Sequence, residues 1–290
     1  MYAVGSLFLL VIGFKPAFSL THSHMEIFIV NKKLSFLAFF TSLPLYAGAM
    51  GEVVPPDYPW FASIGTGYSW TEKPGIKNPD PAVWDPAIQG YDASLGDRGF
   101  YTFAIGKQVH QYVDISVSYL NHEVFDYQKF QSGALAGQPG FTGNERTRFF
   151  RLSNRALLVN GFLHPNRSWA NFLGIELMPF VGGGIGFSHN EVRDFHTIGN
   201  IVVAGIPIGS TSSIGKPSSK NSFSWQGSLG LNFRPAQSHL SVDIGYRYFD
   251  GGKFEGSSLI YTNSAGWLSA PPWRGRLKAN QGFVEFKYSA

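Results

Sequence analysis

The stretch Trp60–Trp70, WFASIGTGYSW, alternates between two kinds of side chain at every second residue. Its even-numbered positions carry aromatic, aliphatic or threonine side chains, whereas positions 63, 65, 67 and 69 are all serine or glycine. Because successive side chains of a strand point to opposite faces, this pattern predicts a β-strand with one apolar face and one small, polar face. Its length matches the roughly 9 to 11 residues of a tilted membrane strand, and a tryptophan at each end suits the two interfacial layers of aromatic residues.

Seven further segments show the same alternation, so the sequence predicts eight strands. These segments are 101–109, 113–119, 148–160, 178–188, 223–233, 240–248 and 283–288. The segment 148–160 is the least regular, since Asn154 falls on its apolar face while Leu157 and Val159 fall on its polar face.

The connections between the segments alternate strictly between long and short. The long ones are 71–98, 126–146, 189–222 and 250–276, and the short turns lie at 110–111, 164–166 and 234–237. A soluble sandwich has no reason to keep this order, whereas an outer-membrane barrel has short periplasmic turns and long external loops. The sequence therefore predicts an all-β fold, an eight-stranded antiparallel up-and-down transmembrane β-barrel with both termini in the periplasm. We expect its four long extracellular loops to be polar and mobile, because they are rich in Pro, Gly, Ser and Asn.

The N-terminal residues have a different character from the rest of the chain. Residues 25–49 are interpreted as a signal peptide, with Lys32 and Lys33 before an apolar stretch and a small-residue cleavage site ending at Ala49. Residues 1–24 are interpreted as an upstream extension, with translation starting at Met25. A transmembrane piece over 4–14 is the alternative, although it is shorter than the roughly 20 residues that a spanning helix needs. Residues 50–59 would then form a short periplasmic segment, and 60–290 the barrel in the outer membrane of a Gram-negative bacterium.

Charge and cysteine content narrow the classes of function. The chain has a formal net charge of +4, and removing residues 1–49 lowers it to +2, so no basic surface argues for nucleic acid as a partner. The chain has no cysteine. An exported chain of this kind must be stabilised by its core or by a membrane, since disulfides are not available.

Strand number determines what the interior of the barrel can be. Eight strands enclose a lumen that side chains fill, while open aqueous channels need about 16 strands. We expect four acidic and four basic residues on the inward faces to form a salt-bridged plug, with a selectivity filter or gate as the alternative. The predicted lumen charge network comprises Asp114, Arg151, Arg155, Glu176, Asp243, Arg247, Glu285 and Lys287. The predicted aromatic girdle comprises Trp60, Trp70, Tyr101, Tyr119, Trp225, Tyr248 and Tyr288.

Three segments carry a resemblance to a known family. They are LLVNGFL (157–163), MPFVGGGIGFS (178–188) and SVDIGYRY (241–248). They resemble strands of the eight-stranded outer-membrane β-barrels of the opacity-protein and OmpA transmembrane type, and the resemblance covers roughly residues 60–288. Such barrels end on a terminal aromatic residue that the assembly machinery reads, whereas here Tyr288 is followed by Ser289 and Ala290. The resemblance implies the fold and says little about function.

The glycine-rich segment 179–188, PFVGGGIGFS, is predicted to be a strand and not a phosphate-binding loop. A dinucleotide pattern G-x-G-x-x-G would need a further glycine where Phe187 or His189 stands. We expect one side of the strand to face lipid, with Val181, Ile185 and Phe187. We expect the other side to face the lumen, with Phe180, Gly182, Gly184, Gly186 and Ser188. The small inward residues would leave room for bulky charged neighbours, namely Arg151, Arg155 and Arg247.

Several polar residues near the predicted outer rim belong to types that can serve catalysis or metal binding. Ser188 and His189 could belong to a Ser-His-acid site, as could His122, but adjacent strand residues point to opposite faces and could not serve each other. The acids Asp80, Asp85, Asp92 and Asp97 lack the spacing of a calcium loop and are interpreted as solvated. We therefore expect no catalytic residue, no metal and no cofactor.

The function that the sequence favours is structural and surface-interactive. The predicted partners are outer-membrane lipids and lipopolysaccharide, the barrel-assembly machinery, and host or cell-surface ligands that contact the long loops. A narrow porin-like channel for ions or small solutes is the first alternative. A lipid A-modifying enzyme is the second.

Overall fold

The computed structural model describes residues 58–77, 93–131, 146–203, 206–262 and 266–290. The expected upstream extension, the signal peptide and residues 50–57 lie outside this part of the chain, as do Asp80, Asp85 and Asp92. Within the described ranges, no helix is long and apolar enough to cross a membrane.

The described residues form one antiparallel sheet of thirteen strands. The strands are β1 (Trp60–Thr71), β2 (Asp97–His110), β3 (Val113–His122), β4 (Phe125–Gln131), β5 (Arg146–Leu163), β6 (Ala170–Phe172), β7 (Ile175–Val203), β8 (Ile206–Gly215), β9 (Ser218–Pro235), β10 (Leu240–Glu255), β11 (Leu259–Thr262), β12 (Gly266–Ser269) and β13 (Arg274–Ser289).

Eight of these strands close into a barrel. The pairings run β1–β2–β3–β5–β7–β9–β10–β13, and β13 pairs back onto β1 from Phe61↔Ser289 to Thr71↔Ala279. The predicted eight-stranded antiparallel barrel is thereby confirmed. Both ends of the described chain and the short β2–β3, β5–β7 and β9–β10 connections lie at the same end of the barrel. In membrane barrels short turns mark the periplasmic end, so we refer to this as the periplasmic end and to the opposite one as the extracellular end.

The long connections contain more regular structure than the sequence predicts. In their described parts, the connections 126–146, 189–222 and 250–276, which were expected to be loops, consist largely of strands. Strand β4 lies in the first, β7 and β8 occupy most of the second, and β11 and β12 lie in the third. Strand β8 pairs with both β7 and β11, so the sheet continues beyond the barrel at the extracellular end. Backbone pairing with long neighbouring strands outweighs the turn-like composition of these segments.

The interior contains two chemically different zones. A polar lumen occupies the periplasmic part and is lined by serine, asparagine, glutamine and charged side chains. An aromatic cluster fills the extracellular part, where Phe125, Tyr127, Phe150, Phe254 and Trp273 are almost fully buried.

Candidate functional site

The outer surface of the barrel carries a broad belt of exposed apolar side chains. On β1 the residues that face outward include Trp60, Ile64 and Trp70, while Phe61, Ser63 and Ser69 are buried inside. The same alternation continues around the barrel, for example in β7, where Ile185 is 61% exposed while the inward residues Gly184 and Ser188 are buried. A continuous apolar belt of this kind is unfavourable in contact with water. The belt is therefore the lipid-facing surface of a membrane protein.

The fold is that of an eight-stranded outer-membrane β-barrel. This assignment rests on the closed cycle of strands, in which each strand pairs with a neighbour on both sides, and on the apolar belt, which presents hydrocarbon-compatible side chains to lipid.

The predicted girdle residues all lie on the outer surface. Six of them are exposed, and Tyr248 is half-buried against Trp225, with 5.4 Å between the two ring centroids. At the extracellular end Trp70 and Tyr248 flank Asn280, which pairs with both in register. At the periplasmic end the Lys107 ammonium lies 5.3 Å from the centre of a Trp60 ring.

Asp114 and Lys287 form an ion pair at the periplasmic mouth of the polar lumen. The Lys287 ammonium donates to the Asp114 carboxylate at 2.7 Å, and His164 Nε2 lies 3.2 Å from the other carboxylate oxygen. His164 belongs to the periplasmic turn after β5, and its hydrogen bond to Asp114 raises the pKa of His164 above its usual 6.5. Lys287 also lies over the ring of Phe61, 3.8 Å from its centre. This cluster links β3 and β13 to the turn after β5.

A second charged cluster lies on β10 and β13. The Arg247 guanidinium is buried, 3.9 Å from the Glu285 carboxylate and 4.7 Å from the centre of the Phe283 ring. Ser63 donates to the other oxygen of Glu285, and Asn232 donates to Asp243. Each carboxylate therefore has a polar partner, as buried charges require.

Two predicted members of the lumen network lie outside it. Arg151 and Arg155 point outward from β5, and the Arg151 side chain is 60% exposed and pairs with Asp126 and Asp194. The prediction that they face the lumen is wrong because the two faces of β5 are reversed. Its inward side carries Asn154 and Asn160, and its outward side carries the apolar Leu157 and Val159, which meet lipid.

Glu176 occupies the periplasmic end of β7. It is half-buried and lies opposite Arg234 in the register of β7 and β9. The structure thus brings together five of the eight predicted network residues, namely Asp114, Asp243, Arg247, Glu285 and Lys287.

A layer of neutral polar side chains lies next to the charges, and sequence reasoning did not identify it. Asn160 donates to the hydroxyls of Ser116 and Ser118 at 3.2 and 2.9 Å, and its oxygen accepts from Gln226 at 2.6 Å. The alternation of β3 and β9 placed the serines and Gln226 inward, but the reversed assignment of β5 removed Asn160 from the predicted lumen. This layer ties three strands together across the interior.

A buried histidine marks the boundary between the polar lumen and the aromatic cluster. His122 Nδ1 lies 2.8 Å from Asn154 Oδ1, and His122 Nε2 lies 2.7 Å from Gln281 Nε2. Asn154 in turn donates to Asn190 at 2.7 Å. Phe249 lies against the histidine ring, with 5.2 Å between centroids. This hydrogen-bonded series could not be predicted from the sequence, because its members come from four separate strands.

The aromatic cluster closes the extracellular part of the interior. Tyr127 stacks on Phe150 with 4.5 Å between centroids, and Trp273 packs against Phe150 at 4.8 Å and Phe195 at 5.5 Å. Aromatic side chains packed at such distances exclude water from the part of the interior that they occupy.

Two cavities lie on the periplasmic side of this cluster. A cavity of about 70 Å³ is lined by the polar lumen, including Ser116, Asn160, Asp243 and Arg247. A second, of about 120 Å³, opens among the periplasmic turns at Gln111 and Asn166, and the two share Asp114, His164 and Lys287 as lining residues. The inner cavity has room for about five water molecules.

The glycine-rich segment is part of β7, and its predicted faces are confirmed. Val181, Ile185 and Phe187 are exposed, while Gly184 and Ser188 are buried. The neighbours that the glycines accommodate differ from those expected. A Cβ on Gly182 would lie 2.4 Å from the Phe162 ring, and one on Gly184 would lie 2.1 Å from Asn160 Oδ1. An aromatic ring and an amide, instead of arginines, therefore take up the space.

The residues considered for catalysis lie apart from one another. Ser188 is buried in the interior, whereas His189 faces outward and lies 2.8 Å from Asn221. Asp97, the only described member of the predicted acidic loop group, is the first residue of β2.

Comparison with known proteins gives similarity at the level of structure alone. No family model and no curated protein sequence matches the chain. Among solved structures, the chain is similar to Neisserial surface protein A with 9% identity and a TM-score of 0.36, over 79% of this chain and 96% of that one. The outer membrane protein OprG of Pseudomonas aeruginosa gives 12% identity and a TM-score of 0.40, over 80% and 97%. Ail of Yersinia pestis, in complex with the heparin analogue sucrose octasulfate, gives 12% identity and a TM-score of 0.31, over 78% and 98%.

Proposed function

We propose that this protein has a structural and surface-interaction role in the outer membrane, contributing to envelope integrity, adhesion or surface antigenicity. The observation that carries the proposal is the aromatic cluster, which closes the interior at the end where the sheet continues outside the membrane. A barrel closed in this way serves to hold an extracellular surface in place. Its partners are outer-membrane lipids and lipopolysaccharide around the belt, the barrel-assembly machinery, and host or cell-surface ligands at the extracellular strands.

The extracellular strands offer a surface suited to such contacts. Trp267 and Leu268 on β12 and Ile214 on β8 are exposed beyond the barrel, with 52% of Trp267 accessible. The Lys216 ammonium lies 5.1 Å from the centre of a Trp267 ring. Exposed aromatic residues next to a cation are typical of surfaces that bind other molecules.

This role is tested by a variant that lacks the extracellular strands and keeps the barrel. Thr197 and Ser213 are register partners whose hydroxyls lie 2.7 Å apart, so a tight turn can replace residues 198–212. The amide of Ala270 donates to the Ser258 carbonyl, so a second turn can replace residues 259–269. We expect the variant to form a heat-modifiable barrel while adhesion, serum resistance or detergent resistance of the cells falls. Wild-type behaviour in all three assays would contradict the proposal.

A narrow channel is the second candidate, and one observation favours it. Several buried polar atoms of the lumen have no hydrogen-bond partner, among them Gln226 Oε1, Asn232 Oδ1 and Arg247 Nε. Water in the cavity would satisfy them, and a water-filled lumen is one element of a channel. This candidate predicts stepwise conductance in planar bilayers. A lipid A-modifying enzyme predicts altered lipid A on overexpression, and unchanged lipid A would exclude it.

A further inference from the structure

The outward face of β13 changes from apolar to cationic at a single level. From the periplasmic end upward, its outward side chains include Tyr288, Phe286 and Val284, and above them Lys278 and Arg276. The strand path from Tyr288 to Lys278, tilted by 35–45°, rises about 25 Å, which is the height of the apolar band in such barrels. Lys278 therefore lies where the hydrocarbon of the outer leaflet ends and lipid headgroups begin.

Three cationic side chains are neighbours at this level. Lys253 on β10 is the register partner of Arg276, and Lys278 is the next outward residue below Arg276 on β13. We refer to Lys253, Arg276 and Lys278 as the cationic step.

Most of this positive charge is not neutralised by the protein. Arg276 binds Asp250 at 2.7 and 3.0 Å, but the Arg276 side chain remains 47% exposed. Among the described residues, neither Lys253 nor Lys278 forms an ion pair. Two further acids are adjacent. The Glu72 amide donates to the Lys278 carbonyl, and the exposed Lys73 follows it. Glu255, the next outward residue after Lys253, pairs with Lys220 and Arg274. The step and these neighbours thus carry six positive charges against three negative ones.

Aromatic side chains lie immediately below the step. Asn280, the next outward residue on β13, is flanked in register by Trp70 and Tyr248, and Tyr248 contacts Trp225. Such rings pack beside the glycerol or sugar region and upper acyl chains of a lipid. From the periplasmic end upward, the surface therefore presents apolar side chains, then aromatic rings, then the cationic step. This order matches the acyl chains, the glycerol or sugar region and the phosphate groups of a phosphorylated lipid.

We propose that the cationic step binds the phosphate groups of lipopolysaccharide in the outer leaflet. The exposed edge of the Arg276 guanidinium donates hydrogen bonds to phosphate oxygens, and the two ammonium groups act as point charges beside it. The proposal rests on the proposed function, in which lipopolysaccharide is a partner of the barrel, and it names the site on which that lipid is held.

The test compares binding of three probes to the purified, folded barrel in a zwitterionic detergent. The probes are diphosphoryl lipid A, the same lipid A after removal of its phosphates, and inorganic phosphate. The double variant Lys253→Gln/Lys278→Gln removes two charges and keeps the Arg276–Asp250 pair. The matched control is Lys107→Gln, which removes a cation beside the girdle at the periplasmic end.

We expect the double variant to bind diphosphoryl lipid A about tenfold more weakly than the wild type, or weaker still. The Lys107→Gln control and the charge-conserving Lys253→Arg/Lys278→Arg variant should bind as the wild type does. Equal binding by the double variant, or equal binding of dephosphorylated lipid A by the wild type, would overturn the proposal. Full competition by millimolar inorganic phosphate would overturn the assignment to a lipid. Since binding is measured on isolated protein, these outcomes are independent of the cell-surface role and of conductance.

Discussion

At the scale of single residues, the interior is determined by close fits between small and large side chains. The Asn160 side chain occupies the space beside Gly184, and the Phe162 ring occupies the space beside Gly182. Glycine is therefore required where a bulky side chain of the neighbouring strand packs against the backbone. The sequence predicted which side of this strand faces inward, because its outward residues are strongly apolar. It could not predict the contacting partners, since these depend on the register between β5 and β7.

Substitution of Gly184 by leucine is expected to prevent normal folding. The new Cβ alone would lie 2.1 Å from Asn160 Oδ1, and an overfilled interior costs about 1–3 kcal/mol or more. Gly183→Leu is the matched control, because Gly183 is exposed to lipid and a Cβ there would meet only the Gln226 carbonyl oxygen, at 3.5 Å. The mobility of unheated samples in SDS gels reports folding. Equal fractions of folded protein in the two variants would show that the packing around Gly184 is misassigned.

The stability of the periplasmic mouth is expected to depend on pH through His164. Its pKa is raised in the folded state, chiefly by the hydrogen bond to Asp114. The stabilisation is therefore fully present below the unfolded pKa of about 6.5 and is lost as pH rises through the higher folded pKa. Thermal unfolding in detergent should show a lower midpoint at pH 8.5 than at pH 6. In His164→Gln this difference should shrink, and an unchanged pH dependence would contradict the assignment.

At the scale of elements, alternation was a sound guide wherever lipid and polar lumen lie on opposite sides of a strand. It failed for β5 because the upper part of the interior is aromatic. Phe150 and Leu152 point inward there, and Leu157 and Val159 point outward lower down, so both faces contain apolar residues. Composition also failed for β8 and the start of β9, whose serines and glycines resemble a loop. They are strands because β7 extends to Val203 and supplies partners for both.

Truncation of Trp273 is expected to loosen the extracellular strands and leave the membrane barrel intact. Trp273 is 1% exposed and contacts three phenylalanines, so its replacement by alanine should cost about 3–5 kcal/mol of local stability. Protease added to intact cells should cleave the variant faster at the extracellular end, while its heat-modifiable gel shift persists. Trp267→Ala, at an exposed position, is the control and should resist protease as the wild type does. Identical cleavage of both variants would show that the cluster does not hold these strands.

At the scale of the whole molecule, the two-zone interior sets what the barrel can do. The charged residues Asp114, Arg247, Glu285 and Lys287 converge in a small cavity near the periplasm. The aromatic cluster separates this cavity from the extracellular side. The sequence predicted a filled lumen from the strand number and most of its charges, but it did not predict the aromatic rings of the extracellular part and wrongly placed Arg151 and Arg155 inward. Long-range pairing of β4, β5, β10 and β13 assembles those rings, and alternation within a single strand carries no information about it.

The most direct test of a closed barrel is the conductance of the purified full-length protein in planar lipid bilayers. Insertion is verified by adding protease to the side that receives the extracellular strands. We predict a flat current without discrete steps, because buried aromatic rings fill the extracellular part of the interior. Reproducible conductance steps from verified inserted protein would contradict a closed interior and would favour the channel.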